Sequence, residues 1–325
     1  ALNLDKIPYE LLKLFNAALN TVQNKKNSIK WAFAYFTMKK TWFYFLTSLI
    51  FLFFSCASLK EGRTKDEYIT TESGALIAKT LKFEGTYKNE KYIFLRLYSV
   101  VYDQNHQIGN LLRIAIGALG PATDGLYYSH AAISYKLSDN FVGITIGGEN
   151  NVKYESVMEP EKNRYLASNN KYKSQCTVIA IPCTKIDYEN CKHLIDYAVM
   201  SDSRFYFGIT DFLTILGART ANNLRTKNFS CETMDFNESE PILNPEDEFD
   251  SRIYCCSAFC AYILMRGIQR YKDCAEATGF SVRGVTPADL YSIQGSQHLF
   301  NCYYLEYEQT LADFVEAYPE FKEYL

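Results

Sequence analysis

The sequence has 325 residues, 48% of them apolar and 15% aromatic, enough for one large domain or two ordinary domains with a sizeable core. This composition excludes an intrinsically disordered chain. The formal net charge is −3, and no long block of Lys and Arg follows residue 65, which excludes the basic surface typical of nucleic-acid-binding proteins.

The N-terminal segment has the layout of a secretory signal. Met38-Lys39-Lys40 is a short positive region, and residues 41–54 are almost wholly apolar. A run of this length is too short for a comfortable membrane span and fits a signal peptide better. Cys56 resembles the cysteine that carries the lipid in the lipobox of bacterial lipoproteins, although Phe53 and Phe54 replace the usual Leu and small residue.

This layout predicts a division of the chain into four parts. Residues 1–37 form an upstream or amphipathic segment, residues 38–56 a signal or lipobox-like segment with Cys56 as candidate lipidation site, residues 57–89 a linker, and residues 90–325 the folded domain. One short strand or helix is expected within the linker, around residues 75–83. A hydrophobic anchor or a buried helix is the alternative for residues 38–56. We expect a membrane-anchored protein, either an exported lipoprotein or another protein of the cell envelope.

The folded domain begins with strands. Runs of β-branched and aromatic residues separated by turn residues predict strands over 91–101, 127–135, 141–146, 152–157 and 176–182, and helical spacing predicts a helix over 187–200. Tight turns join the second, third and fourth of these strands. They are therefore predicted to form an antiparallel meander.

A cysteine-rich helix is predicted over residues 253–264, with Gly267 as a left-handed C-terminal stop. Unpaired N–H groups and the positive end of the helix dipole stabilise a thiolate in the first turn, where Cys255 and Cys256 lie. Core packing is the alternative, because cysteine is among the most buried residue types. The ten cysteines contain no pair of C-x-x-C units, so no metal site is expected, and free thiols and disulfides both remain open. A catalytic thiol at this place would require no cofactor.

A base for such a thiol is found on the predicted meander. His130 lies on an apolar strand, where histidine is less expected than a β-branched or aromatic residue, and Glu155 lies two strands later. If they share a face, a carboxylate, an imidazole and a thiol complete the arrangement of a cysteine hydrolase. The alternatives are a hydrogen-bonded core histidine and a solvent-facing glutamate.

Four motifs in this order resemble the circularly permuted branch of the NlpC-type papain-like cysteine hydrolases, including YiiX-like proteins. They are Tyr128-Ser129-His130-Ala131-Ala132-Ile133, Val152-Lys153-Tyr154-Glu155, Tyr254-Cys255-Cys256-Ser257-Ala258-Phe259 and Pro287-Ala288-Asp289-Leu290. The resemblance covers roughly residues 91 to 308. The serine that follows Cys256 selects this residue over Cys255, but the doubled cysteine leaves the choice open by one residue. Ala258 stands where the family often has a polar residue.

The resemblance implies an α+β, papain-like fold of the permuted NlpC type, with a small antiparallel sheet packed on the cysteine-bearing helix. It implies Cys256 as nucleophile, His130 as base and then acid, and Glu155 as the group that orients the imidazole. The implied substrates are amide bonds in peptides, including peptidoglycan peptides, or ester and amide bonds in lipids. An acyltransferase with the same residues and a non-catalytic, membrane-tethered binding module remain alternatives.

Overall fold

The computed structural model describes a set of separate segments. They are residues 67–79, 81, 90–99, 128–138, 141–144, 152–155, 175–201, 237–249, 255–278, 282–293, 295–303 and 306–325. The chain divides into two units, Ala1–Ser58 and Leu59–Leu325, and all of these segments belong to the second. Cys56 and the signal-like segment lie outside the described residues. None of the helices in the described part of the chain has both the length and the apolar character needed to cross a bilayer.

The centre of the described unit is an eight-stranded sheet. Its strands are β1 (Tyr68–Thr70), β2 (Leu76–Ala78), β3 (Lys91–Ser99), β4 (Tyr128–Ser134), β5 (Phe141–Ile144), β6 (Val152–Glu155), β7 (Gln175–Cys183) and β8 (Gln297–Tyr303). Their order is β1-β2-β8-β7-β3-β4-β5-β6, and the pairings are antiparallel. The predicted meander is confirmed as β4-β5-β6. The sheet begins before residue 90, because β1 and β2 lie where the sequence predicted a linker.

Within the described residues, six helices accompany the sheet. They are α1 (Lys185–Met200), α2 (Pro245–Glu248), α3 (Cys256–Gly267), α4 (Gln269–Thr278), α5 (Pro287–Tyr291) and α6 (Tyr307–Ala317), with 3-10 turns at Val282–Gly284 and Pro319–Tyr324. The fold of the described residues is therefore a mixed helix and sheet architecture that is compatible with the predicted α+β class.

One face of the sheet is covered by the C-terminal helices. Phe94 of β3 and Phe300 of β8 are fully buried there against Phe314 and Phe321. The rings of Phe314 and Phe321 have centroids 5.1 Å apart, and those of Phe300 and Phe314 are 5.2 Å apart. Aromatic side chains dominate core energetics, so this cluster is a principal source of stability.

Helix α3 is enclosed by β4, β5 and α1. Its C-terminal end lies so close to α1 that a side chain on Gly267 would collide with Cys191 Sγ. The helix ends at Gly267 and is followed by Ile268 with a φ of −117°. The predicted left-handed stop is therefore wrong, and this glycine is required by the close approach of two helices.

Candidate active site

Helix α3 starts between two adjacent cysteines. Cys255 is the N-cap residue, with extended backbone, and its Sγ accepts a hydrogen bond from the Ala258 N–H at 3.4 Å. The thiol also lies 3.4 Å from Ser257 Oγ. Burial, followed by the proximity of Cys256, raises the pKa of the Cys255 thiol to about 12. Cys255 is therefore a neutral capping thiol at physiological pH.

Cys256 is the first residue of α3 and is 7% exposed. Its own peptide N–H is among the donors that have no partner within a helix, and its sulfur is attached at the positive end of the helix dipole. A thiolate is stabilised at this place. Of the two cysteines between which the sequence leaves the choice open, Cys256 is thus the better placed nucleophile.

A contact just after its last residue locates the C-terminal end of α3 on the sheet. Just beyond the helix, the Arg270 guanidinium donates to the Pro182 carbonyl at 2.6 Å. Pro182 pairs with Tyr92 at one end of the β3–β7 ladder, whereas Cys176 pairs with Tyr98 at the other. The C-terminal end of α3 therefore lies near the Pro182 end of this ladder.

His130 belongs to the other end of this ladder, where Cys176 lies. It is the third residue of β4 and pairs directly with Tyr98, and the centroids of the two rings are 5.3 Å apart. Tyr98 in turn pairs with Cys176. His130 therefore lies near the Cys176 end of the ladder, on the face of the sheet that carries Tyr98 and Phe94.

A second chain of contacts connects the first turn of α3 with the start of β4. Ser257 Oγ donates to the Val285 carbonyl at 2.7 Å, two residues ahead of α5. At the other end of α5, Tyr291 stacks on Tyr128 with ring centroids 5.2 Å apart. Tyr128 lies two residues before His130. Helix α5 thus links the cysteine helix to strand β4 through Tyr128, which lies on the face of the sheet opposite to that of His130.

The Pro-x-Asp-Leu motif has a local structural explanation. Thr286 and Asp289 form a capping box, in which the Asp289 N–H donates to Thr286 Oγ1 at 3.3 Å and the Thr286 N–H donates to Asp289 Oδ2 at 2.7 Å. Pro287 occupies the first turn, where its missing N–H has no cost. These residues fix the start of α5 and hence the path from Val285 to Tyr291.

Glu155 is not brought next to His130. It pairs with Phe141, and the β4–β5 register, given by Ile133 and Val142, aligns Phe141 with Ser134. Strand β6, which carries Glu155, is therefore two strands away from β4, a distance of about 10 Å across the sheet. Along the strand direction, Glu155 is level with Ser134, four residues or roughly 13 Å from His130. This backbone separation does not fit a carboxylate that hydrogen-bonds to the His130 imidazole.

Sequence reasoning missed a buried polar chain on the α5 side of β4. The Tyr128 hydroxyl lies 2.6 Å from Thr177 Oγ1, which donates to Asn301 Oδ1 at 2.6 Å. The sequence signal for this contact was Thr177, a polar residue in the otherwise apolar strand β7. Asn301 comes from a strand 124 residues away in sequence, so no local pattern predicts the contact.

A groove of about 440 Å³ lies elsewhere, between the end of α1 and α2. Its lining includes His193, Asp196, Tyr197 and Glu246 and none of the predicted site residues. Within the described ranges, no three His, Cys, Asp or Glu side chains are grouped closely enough to hold a metal ion.

The chain was compared with protein-family models, curated proteins and solved structures, and none of them matches it.

Proposed function

We propose that the protein is a cysteine hydrolase of papain-like, permuted NlpC type, with Cys256 as nucleophile and His130 as base. The observation that carries this proposal is the position of Cys256 in the first turn of the buried helix α3, which α5 links to the strand that carries His130. The order of elements supports it further, because the histidine strand precedes the cysteine helix, as the resemblance implies.

The reaction follows from the placement of these groups. His130 takes the proton of the Cys256 thiol, and the thiolate attacks the acyl carbon of an amide. The oxyanion accepts a hydrogen bond from the Cys256 backbone N–H at the helix start. His130 then protonates the leaving amine, an acyl-enzyme thioester remains, and water releases the acid and restores the thiol.

The substrate proposal rests on the N-terminal segment. A lipoprotein attached through Cys56 to the cell envelope meets peptides and peptidoglycan, which favours amide hydrolysis. Lipid esters and amides are the second substrate class, because the same two residues attack either acyl group. An acyltransferase differs only in the acceptor that resolves the thioester.

The proposal is tested by product release. Wild type, Cys256→Ser and Cys260→Ser are incubated with peptidoglycan stem peptides and, separately, with phospholipid vesicles, and new primary amines and free fatty acids are measured. Cys260 is a matched control because it is a buried thiol on the same helix. We expect amine release by wild type and Cys260→Ser and none by Cys256→Ser. Equal activity of Cys256→Ser and wild type would overturn the proposal.

A further inference from the structure

We infer that Tyr128, Thr177 and Asn301 form a positioning relay that holds the His130 imidazole in place; the inference rests on the proposed function. Tyr128 and Thr177 are fully buried, and the two contacts between the three side chains are both 2.6 Å long. Asn301 pairs directly with Thr177 across β7 and β8. The relay thus spans the sheet from β4 to β8.

The number of hydroxyl protons determines which group donates and which accepts in each hydrogen bond of the relay. A threonine hydroxyl has one proton, and that of Thr177 is donated to Asn301 Oδ1. The Tyr128 hydroxyl must therefore donate to Thr177 Oγ1. The phenol has a single defined orientation, which a residue that only filled space would not need.

A bulge connects this relay to His130. His130 pairs with Tyr98, whereas the next pair along the ladder is Ser99 with Tyr128, so Ser129 is an additional residue in β4. Because Tyr98 and Ser99 point to opposite faces, Tyr128 and His130 lie on opposite faces as well. Bulges are found next to active sites, where they redirect a side chain.

The relay therefore sets the position of the His130 imidazole. A slip of one residue in β4 would exchange the two faces and remove His130 from the row it shares with Tyr98. Tyr128 prevents this slip from the opposite face, through its hydrogen bond to Thr177 and its stacking on Tyr291. Tyr128 and Thr177 are positioning residues, since they act through His130.

The test compares Tyr128→Phe, Thr177→Val and Thr177→Ser with wild type. Two quantities are followed against pH: the rate of Cys256 alkylation by iodoacetamide, mapped by mass spectrometry, and the His130 imidazole resonance in NMR spectra, assigned with His130→Ala. Tyr135→Phe is the matched control, because the Tyr135 hydroxyl, just after β4, donates to Asp196 and not to the relay.

We expect Tyr128→Phe and Thr177→Val to lower alkylation near neutral pH roughly tenfold, part of the 10²–10⁴ that a positioned base contributes, and to shift the His130 titration. Thr177→Ser and Tyr135→Phe should behave as wild type, since serine keeps the hydroxyl. A His130 titration unchanged in both Tyr128→Phe and Thr177→Val would overturn the inference. If alkylation is unchanged in His130→Ala, the proposed function fails, and the NMR titration still decides the relay.

Discussion

Cys255 Sγ accepts a hydrogen bond from the Ala258 N–H, so the first of two adjacent cysteines caps the helix that begins with the second. Two thiols that are neighbours in sequence thus have different environments. Serine is among the best N-cap residues and keeps an acceptor at this position. The capping role and the proposed nucleophilic role can therefore be separated by substitution.

The first prediction concerns this pair. Cys255→Ser should keep a free energy of unfolding within about 1 kcal/mol of wild type and retain rapid alkylation of Cys256. Cys256→Ser should abolish rapid alkylation. Mass mapping of the labelled peptide and urea unfolding check both results. Loss of rapid labelling in Cys255→Ser, with the fold intact, would contradict the assignment of Cys256 as the reactive thiol.

The second prediction concerns pH. Burial, and then Cys256, raise the pKa of the Cys255 thiol to about 12, whereas an unfolded cysteine titrates near about 8.5. The unfolded state therefore loses this proton first, and stability is constant below about pH 8.5 and falls as pH rises towards about 12. The slope for one such group is at most about 1.4 kcal/mol per pH unit.

Urea unfolding from about pH 7 to about pH 10 measures this effect. Burial also raises the pKa values of Cys176 and Cys191, so some loss is expected in every variant. Cys255→Ser should lose less stability over the alkaline range than wild type. Identical pH dependence in the two proteins would show that Cys255 is not the buried, neutral thiol described above.

The third prediction follows from the register of β6. Glu155 is two strands and four residues away from His130, so Glu155→Gln should leave the rate and pH profile of Cys256 alkylation unchanged. His130→Ala should lower the rate by about 10²-fold or more at neutral pH. A parallel loss in Glu155→Gln would mean that the carboxylate orients the imidazole after all.

The fourth prediction tests the contact between α1 and α3. Gly267→Ala would place a methyl group against Cys191, and overpacking of this kind costs about 1–3 kcal/mol. The added Cβ meets both the Cys191 sulfur and its backbone, so Cys191→Ala in the same chain should restore only part of the loss. Urea unfolding of the two single variants and the double variant measures this coupling. Additive effects would contradict the contact.

Local sequence patterns predicted the individual strands and helices better than the contacts between them. Alternating residues and tight turns gave the meander, and helical spacing gave the cysteine helix, because both signals are contained in short windows. The three-residue spacing of Thr286 and Asp289, which is typical of a capping box at a helix start, can also be read from the sequence. Three-residue strands are too short to show a period: Tyr68–Thr70 was not predicted, and around Leu76–Ala78 the sequence left a short strand or helix open.

The site itself stays a prediction, and the same limit of local patterns applies to it. His130 and Cys256 were singled out by residue type and order, whereas the proximity of Glu155 depended on a register that no local pattern fixes. The Thr177–Asn301 contact joins strands 124 residues apart. The capping role of Cys255 was missed because serine, threonine, aspartate and asparagine, not cysteine, are the usual N-caps.

The most direct test of the central claim is the pH dependence of Cys256 alkylation in wild type, His130→Ala and His193→Ala. His193 is an exposed histidine on α1 and serves as the matched control. We predict fast labelling well below about pH 8.5 in wild type and His193→Ala, and slow labelling in His130→Ala. If Cys256 labels no faster than Cys260 and is indifferent to His130, it is a packed core thiol and the protein is not a Cys256–His130 hydrolase.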